Sequence, residues 1–322
     1  MSEITTRKDD HIDLAKVSQQ LFRDQRFEYE PMYGVHPDFK PAPFIFLGKK
    51  MNYPFWISSM TGGGKNSKKY NQIFASVCGE LGLGMGLGSC RALMEDPSLF
   101  SDFDLRDLLG PDAPFFMNLG IAQIADLLKN NELEKLNDLM NMLRADGLII
   151  HVNPLQEFFQ PEGDLIIDRP IDIIEKFKAK FLGTIVVKEI GQGMGRRSLK
   201  ALSDIGIEGL ELAGFGGTNF TKLEQIRSKS KLTDFESIGE PSINMINYLN
   251  EIGSQMDVII SGGMNDPLEA YYHKSISNNN SVIGQAHKVL EMADLGHENL
   301  KSYITSFILK MRLAENFLTI KH

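Results

Sequence analysis

The chain has 322 residues, enough for two average domains or for one (β/α) barrel, a fold that typically takes about 250 residues as a single unit. Its 42% hydrophobic and 24% charged residues, with 29 glycines in no G-X-Y period, exclude a disordered or collagen-like chain. A net charge of −8, from 34 basic and 42 acidic residues without a long basic run, argues against non-specific nucleic-acid binding; an anionic substrate would need a local basic cluster.

Residues 1–54 read as an N-terminal helical arm. The opening MSEITTRKDDHIDL has no apolar h-region, and no run approaches 18 apolar residues, so neither a signal peptide nor a membrane span is expected. A charged helix is predicted over 8–22, followed by a connector carrying Pro31, Pro37, Pro41 and Pro43. From residue 55 short β-rich runs alternate with stretches of helical period. The predicted strands are 55–60, 83–88, 114–119, 147–153, 184–190, 207–213, 258–261 and 281–284. Several are continuous apolar runs, as strands buried on both faces require. Helices are predicted over 67–81, 121–142, 170–180, 196–205, 241–252 and 267–277, the last opened by Asp266 as N-cap and Pro267 at N1. A helical tail covers 286–318. Eight strands alternating with helices predict an α/β fold, a closed (β/α)8 TIM barrel over 55–322 with C-terminal helices; an open doubly wound sheet is the alternative. Cys78 and Cys90 are too few for a disulfide scaffold, an iron–sulfur cluster or a Cys-only zinc site, which fits a reducing, cytoplasmic setting.

Chemistry in such a barrel sits at the C-terminal strand ends, and there the chain gathers small and polar residues. The endings are Met60-Thr61-Gly62-Gly63, Gly88-Ser89-Cys90-Arg91, Asn118-Leu119-Gly120, and HVNPLQE from His151 to Glu157. Lys188-Glu189, Gly214-Phe215-Gly216-Gly217-Thr218-Asn219 and Ser261-Gly262-Gly263 follow. Seven such endings in register point to one site. The glycine pairs after strands six and seven, with the Gly284 turn and the Thr218 hydroxyl, suit a phosphate held on backbone N–H groups. Lys188 lies inside the apolar run TIVVKEI, where an unpaired ammonium is costly. It either forms a salt bridge with a neighbouring strand or faces an electron-rich ring or a phosphate. His151 and Asn153 share strand parity and can both point into the mouth. Glu157 is the one candidate carboxylate beside them, which suits Mg²⁺ held partly by water and a substrate phosphate. Lys8 and His11, after Arg7, share a helix face that from pattern alone reads as solvated.

Together RKDDH, SMTGG, GSCR, NLG, HVNPLQE, PEGD, VKEIGQGMG, GFGGTNF and SGG, in this order from Arg7 to Gly263, resemble the type 2, flavin-dependent isopentenyl-diphosphate isomerases. The resemblance implies a barrel that binds FMN, requires Mg²⁺, and has its flavin reduced by NADPH. It implies interconversion of isopentenyl and dimethylallyl diphosphate with no net redox change, the reduced flavin acting as acid–base. It further implies that Met60, Thr61, Gly62, Ser89 and Asn118 line the flavin ring and that Lys188 faces its N1/O2 edge. Thr218, Gly262 and Gly263 would hold the FMN phosphate, with backbone N–H groups of Gly284 and Ala286 at the same end. Arg7, Lys8, His11, Ser89 and Arg91 would grip the prenyl diphosphate, with His151 and Asn153 beside it. Glu157 would bind Mg²⁺, and Gln156 and His151 would serve catalysis near the allyl carbons. The implied assembly is a homotetramer or homo-octamer, with neither nucleic acid nor membrane as partner.

The chain departs from the family pattern in places. Cys90 replaces a usual Gln, placing a thiol that is oxidisable if accessible. Leu165-Ile166-Ile167 replaces an Arg-Asp-Phe run after PEGD, and His287-Lys288 replaces Arg-Pro after the eighth strand. That last change motivates an alternative, a barrel that binds flavin or a prenyl diphosphate without turnover; intact RKxxH and HxNxxQE segments weigh against it. An FMN-dependent α-hydroxy-acid oxidase or dehydrogenase would need a catalytic histidine after strand seven, where the chain reads Ser261-Gly262-Gly263-Met264-Asn265.

Overall fold

Eight short parallel strands build the centre of the computed structural model, which describes residues 3–19, 22–64, 66–228 and 234–321. They are β1 (Phe55–Ile57), β2 (Gly84–Ser89), β3 (Phe115–Gly120), β4 (Gly147–His151), β5 (Thr184–Lys188), β6 (Gly209–Glu211), β7 (Asp257–Ile260) and β8 (Ser281–Gln285). β8 pairs with β1 and closes the barrel. Alternate residues face opposite sides of each strand. Phe55, Ile57, Met85, Phe115, Met117, Leu148, Ile150, Ile185 and Val187 pack outward in the main core shared with the surrounding helices. Trp56, Phe116, Ile149, Val186, Ile259 and Val282 form a separate apolar cluster inside the barrel.

The interior has room for its two largest rings because glycine stands beside them. Trp56 is paired with Gly284 on one neighbouring strand and Gly84 on the other. A Cβ at Gly84 would lie 2.3 Å from the indole. Phe116 is flanked in the same way by Gly86 and Gly147, and a Cβ at Gly147 would lie 2.4 Å from its ring.

The segment before the barrel, predicted to be a connector, contributes to this interior. Phe44–Phe46 and Lys49–Met51 form an antiparallel hairpin. Its two turn residues, Leu47 and Gly48, both have positive φ (50° and 74°), the combination a two-residue type I′ turn needs. Phe46, Leu47 and Met51 enter the inner cluster and plug the N-terminal end of the barrel. The Leu47 N–H donates to Asp257 Oδ2 at 2.5 Å, and Asn280 Nδ2 to the Ile45 carbonyl at 3.1 Å, so the plug is bonded to β7 and its neighbour. Farther out, Phe27–Tyr29 pairs antiparallel with Leu318–Ile320.

Several boundaries differ from the sequence reading. The N-terminal helix is Glu3–Ala15 and stops before residue 16; residues 20 and 21 of the predicted helix lie outside the described residues. The expected helix over 121–142 is two helices, Ile121–Lys129 and Leu133–Leu143, because Asn131 adopts φ 55°. Asparagine tolerates that conformation better than most side chains. The C-terminal tail divides into His287–Asp294 and His297–Phe317 at Gly296, φ 108°. The Asp266 cap is present, its Oδ1 accepting the Leu268 N–H at 2.9 Å.

Replacing Leu47 by Ala should lower the unfolding free energy by about 2–5 kcal/mol, as for other buried leucines. Gly84→Ala should cost about 1–3 kcal/mol through overpacking against Trp56. Urea denaturation measures both, and wild-type midpoints in the two variants would contradict the packed, plugged interior.

Candidate active site

The inward-facing positions change character toward the C-terminal end of the barrel. Above the apolar cluster they become Ser58, Asn118, His151, Lys188, Glu211 and Ser261. His151, Lys188 and Glu211 are register partners on β4, β5 and β6, so they form a polar row across three strands. Glu211, 1% exposed, accepts a hydrogen bond from Ser261 Oγ at 3.2 Å, and Ser261 Oγ accepts the Ala213 N–H at 2.9 Å. Lys188 is buried, and among the described residues no carboxylate lies within ion-pairing distance of its ammonium.

This row borders a cavity of about 350 Å³ in the barrel mouth. Ser58, Ser59, Met60, Lys188, Glu211 and the glycine pairs Gly216-Gly217 and Gly262-Gly263 contribute to its wall. Thr218, Gly284, Ala286 and His287 complete the end near β8. The two glycine loops touch backbone to backbone, and a Cβ at Gly263, φ 76°, would lie 2.7 Å from the Gly216 carbonyl oxygen. Three polar atoms of the wall, Ser58 Oγ, Ser59 Oγ and Glu211 Oε2, are buried with no hydrogen-bond partner among the described residues. Unpaired buried polar atoms are costly, so their convergence on one cavity indicates a site built for a polar ligand. Ala213, also on the wall, holds φ 43° without being glycine, a strained backbone of the kind that gathers at functional sites.

A second polar cluster stands beside the first. β4 ends at His151, so Asn153 is not a strand residue of shared parity as predicted; it is the N-cap of the helix Pro154–Phe159. The turn begins here because Pro154 sits at the first helical position, which proline suits. Asn153 Nδ2 donates to Gln156 Oε1 (2.9 Å) and to Glu157 Oε1 (2.8 Å), while Asn153 Oδ1 is buried and unpartnered. The Asp164 N–H donates to Glu157 Oε2 at 2.8 Å. Gln156 Nε2 reaches Glu224 Oε1 at 3.5 Å, and Arg227 Nε donates to Glu224 Oε2 at 2.7 Å. Arg91 is ion-paired with Asp164 (2.7 Å) and Glu95 (2.9 Å).

His151 ends β4, paired with Lys188 on β5 and two residues before Asn153. Its Nδ1 lies 2.6 Å from Asn118 Oδ1. Burial, and then the charge of Lys188, push its imidazole down to about 3. The ring is therefore neutral at physiological pH, and with Nδ1–H donated to the asparagine oxygen its Nε2 is left as an acceptor.

Of the residues singled out in the sequence, Met60, Lys188, Thr218, Gly262, Gly263, Gly284 and Ala286 meet at the mouth cavity. Thr61, Gly62, Ser89 and Asn118 do not line it. Thr61 Oγ1 donates to Asn71 Oδ1 at 2.5 Å, and a Cβ at Gly62 would lie 2.6 Å from the Ser89 carbonyl oxygen. Arg7, Lys8 and His11 are exposed and make no hydrogen bond or ion pair with any described residue of the barrel. Sequence reasoning assigned no role to Ser58, Ser59, Glu224 or Asp164, although Ser59 and Asp164 lie within the SMTGG and PEGD motifs. The two serines break an apolar strand, a signal that could have been used; Glu224 lies in an ordinary charged helical pattern and gives none. Cys90 is inaccessible: it is fully buried, and burial pushes its thiol up to about 12.

Two outcomes follow from these environments. The His151 ring should remain neutral in NMR titrations from about pH 8 to about pH 4. Because the unfolded ring takes up a proton near pH 6.5 and the folded one does not, stability should fall as pH drops from about 6.5 toward 3. A ring that titrates near 6.5 contradicts the buried row. Ellman's reagent should find no reactive thiol in the native chain and both Cys78 and Cys90 after unfolding; fast native labelling of Cys90 contradicts its burial.

No family model matches the chain. The chain is 35% identical over 276 residues to the isopentenyl-diphosphate delta-isomerase of Ignicoccus hospitalis, covering 83% of this chain and 75% of that protein. It is 32% identical over 307 residues to the isopentenyl-diphosphate delta-isomerase of Rickettsia akari, covering 92% and 88%. Among solved structures it resembles a mandelate oxidase mutant with benzaldehyde (TM-score 0.58, 12% identity, 92% of this chain and 87% of that one). An active mutant of (S)-mandelate dehydrogenase is similar too (TM-score 0.56, 12% identity, 92% and 88%). At that identity the structures show the shared TIM-barrel fold. The sequence relatives, matched over nearly the whole chain, show more: this chain belongs to the isopentenyl-diphosphate delta-isomerase family of enzymes.

Proposed function

We propose that the mouth cavity holds FMN and that the chain uses it, with Mg²⁺, to convert isopentenyl diphosphate to dimethylallyl diphosphate. The observation that carries this reading is the wall of the cavity, where an unpaired buried lysine, three orphaned polar atoms and two touching glycine loops converge. Those groups fit a flavin. Met60 on the wall would border the ring, and Thr61, Gly62, Ser89 and Asn118, on the neighbouring strand ends, would complete that side once FMN is bound. Thr218, Gly262, Gly263, Gly284 and Ala286 form a small-residue end suited to a phosphate on backbone N–H groups.

Moving the double bond requires a proton delivered at one end of the allyl unit and another removed at the other. Reduced FMN, when bound, supplies an acid–base group that no ordinary side chain offers to an isolated alkene. The chain's own residues bind, orient and compensate charge. Lys188 provides positive charge at the ring edge. His151, held neutral and bonded to Asn118, would offer Nε2 as an acceptor to the substrate, and Gln156, hydrogen-bonded to Asn153 and within reach of Glu224, would lie near the allyl carbons.

For Mg²⁺ the protein offers one oxygen donor set. Among the described residues no group of three His, Cys, Asp or Glu side chains converges as a metal cage. Glu157 already accepts two hydrogen bonds but keeps further lone pairs. A Mg²⁺ held by one carboxylate, water and diphosphate oxygens is consistent with that ion's habits. Arg91 would turn from Asp164 to the diphosphate, and Arg7, Lys8 and His11 would come to it from the exposed arm. NADPH as flavin reductant, a cytoplasmic setting and a homotetramer or homo-octamer belong to the same reading. The exposed Ile12, Leu14 and Val17 of the arm support self-association.

With FMN reduced under anaerobic conditions and Mg²⁺ present, the chain should interconvert the two diphosphates and exchange solvent deuterium into them. Absence of both would refute the activity. Lys188→Ala should lower the flavin midpoint potential by about 30 mV or more, where about 30 mV corresponds to about 1.4 kcal/mol for two electrons; an unchanged potential removes Lys188 from the ring edge. Glu157→Gln should raise the Mg²⁺ concentration for half-maximal activity about tenfold, and an unaltered metal titration excludes it as the ligand.

A further inference from the structure

Lys188 points into the mouth cavity, so its neighbour Glu189 points out of the barrel. Glu189 is buried, yet its carboxylate meets no cation within ion-pairing distance among the described residues. Instead its Oε2 accepts three successive backbone N–H groups of the loop that follows it, from Gly191 at 2.7 Å, Gln192 at 2.5 Å and Gly193 at 3.1 Å. This is a backbone nest filled by the chain's own anion, and bonds to an ionised acceptor are the strong ones. Burial raises the carboxyl's pKa while the N–H groups of the loop pull it back.

The clasped loop connects everything around the cavity. Ile190 and Gly191 are part of the cavity wall. Gly191, φ 140°, passes so close to the next loop that a Cβ there would lie 1.9 Å from the Thr218 carbonyl oxygen. The Gly193 N–H also reaches the Ala213 carbonyl at 3.0 Å. Gln192 Nε2 donates to the carbonyls of Phe235 (3.1 Å) and Ile238 (2.6 Å), and its Oε1 accepts Thr221 Oγ1–H at 2.5 Å. Glu189 is the side chain that gathers three backbone N–H groups of this loop at one oxygen.

We propose that Glu189 is a positioning residue for the cofactor: its clasp on the loop 190–193 sets the spacing between Lys188 and the Thr218 end of the cavity, and thereby the affinity for FMN. This rests on the flavin reading above, and the experiment separates the two. Glu189→Gln keeps the side chain's size and one acceptor oxygen but removes the charge on which three donors converge. Thr221→Val loosens Gln192 from the far side without touching the carboxylate. FMN is titrated into flavin-free wild type and both variants, following flavin fluorescence, with circular dichroism and thermal melting of the same samples. The expected result is FMN bound by wild type, a dissociation constant raised about tenfold in Glu189→Gln and about threefold in Thr221→Val, and a shifted flavin midpoint potential in Glu189→Gln. Should Glu189→Gln fail to fold, Thr221→Val decides alone. Wild-type affinity and potential in the folded variants, even with lowered melting temperatures, would mean a purely structural clasp and overturn the inference. Failure of the wild type to bind FMN would overturn the flavin reading itself.

Discussion

Inside the eight-stranded barrel, two aromatic rings and the side chains packed around them leave space only for hydrogen at the four strand positions paired with those rings. Trp56 lies between Gly284 and Gly84, and Phe116 between Gly86 and Gly147. A one-residue slip of any of these strands would set a side chain against a ring and turn every inward residue outward. The packing therefore locks register around half of the barrel. The Leu47 hairpin tip packs into the inner cluster at the lower end, while the mouth cavity lies at the C-terminal end.

The chemistry follows from that register. Strand parity fixed by the lower layer carries Ser58, Asn118, His151, Lys188, Glu211 and Ser261 to the upper layer, where apolar filling stops. Polar atoms there lack enough partners within the protein, since Ser58, Ser59 and Glu211 each keep a buried oxygen unpaired. A lysine with no carboxylate in ion-pairing distance among the described residues and a histidine held neutral beside it complete a polar layer suited to a ligand. The net charge of −8 does not exclude an anionic ligand, because Lys188 lines the mouth cavity with no carboxylate within ion-pairing distance among the described residues.

Much of this was readable in the sequence. All eight barrel strands are predicted in order, because continuous apolar runs between helical patterns have few other interpretations, and Lys188 stands out as a charge inside such a run. Strand ends are overshot at β1, β4, β5 and β6, since hydrophobic pattern does not reveal where side chains such as Glu189 begin to bond the following loop. The hairpin at 44–51 is hidden by three-residue strands, by the prolines before it, and by Leu47 at a turn position that usually carries Asn, Asp or Gly. The division of 121–142 is signalled by Asn130-Asn131 and masked by continuing helical period. Glu224 depends on a tertiary approach of the helix Phe220–Ser228 to Pro154–Phe159, which no local pattern encodes.

Family membership places this barrel among enzymes named for isomerising isopentenyl diphosphate, while its resemblance to mandelate oxidase and dehydrogenase structures is one of fold. What joins the two is the claim that the polar mouth is a flavin site. Equilibrium dialysis of the flavin-free chain against FMN, with bound flavin quantified per chain, tests that claim most directly. Saturation at one FMN per chain is the predicted result; no saturable binding would contradict it.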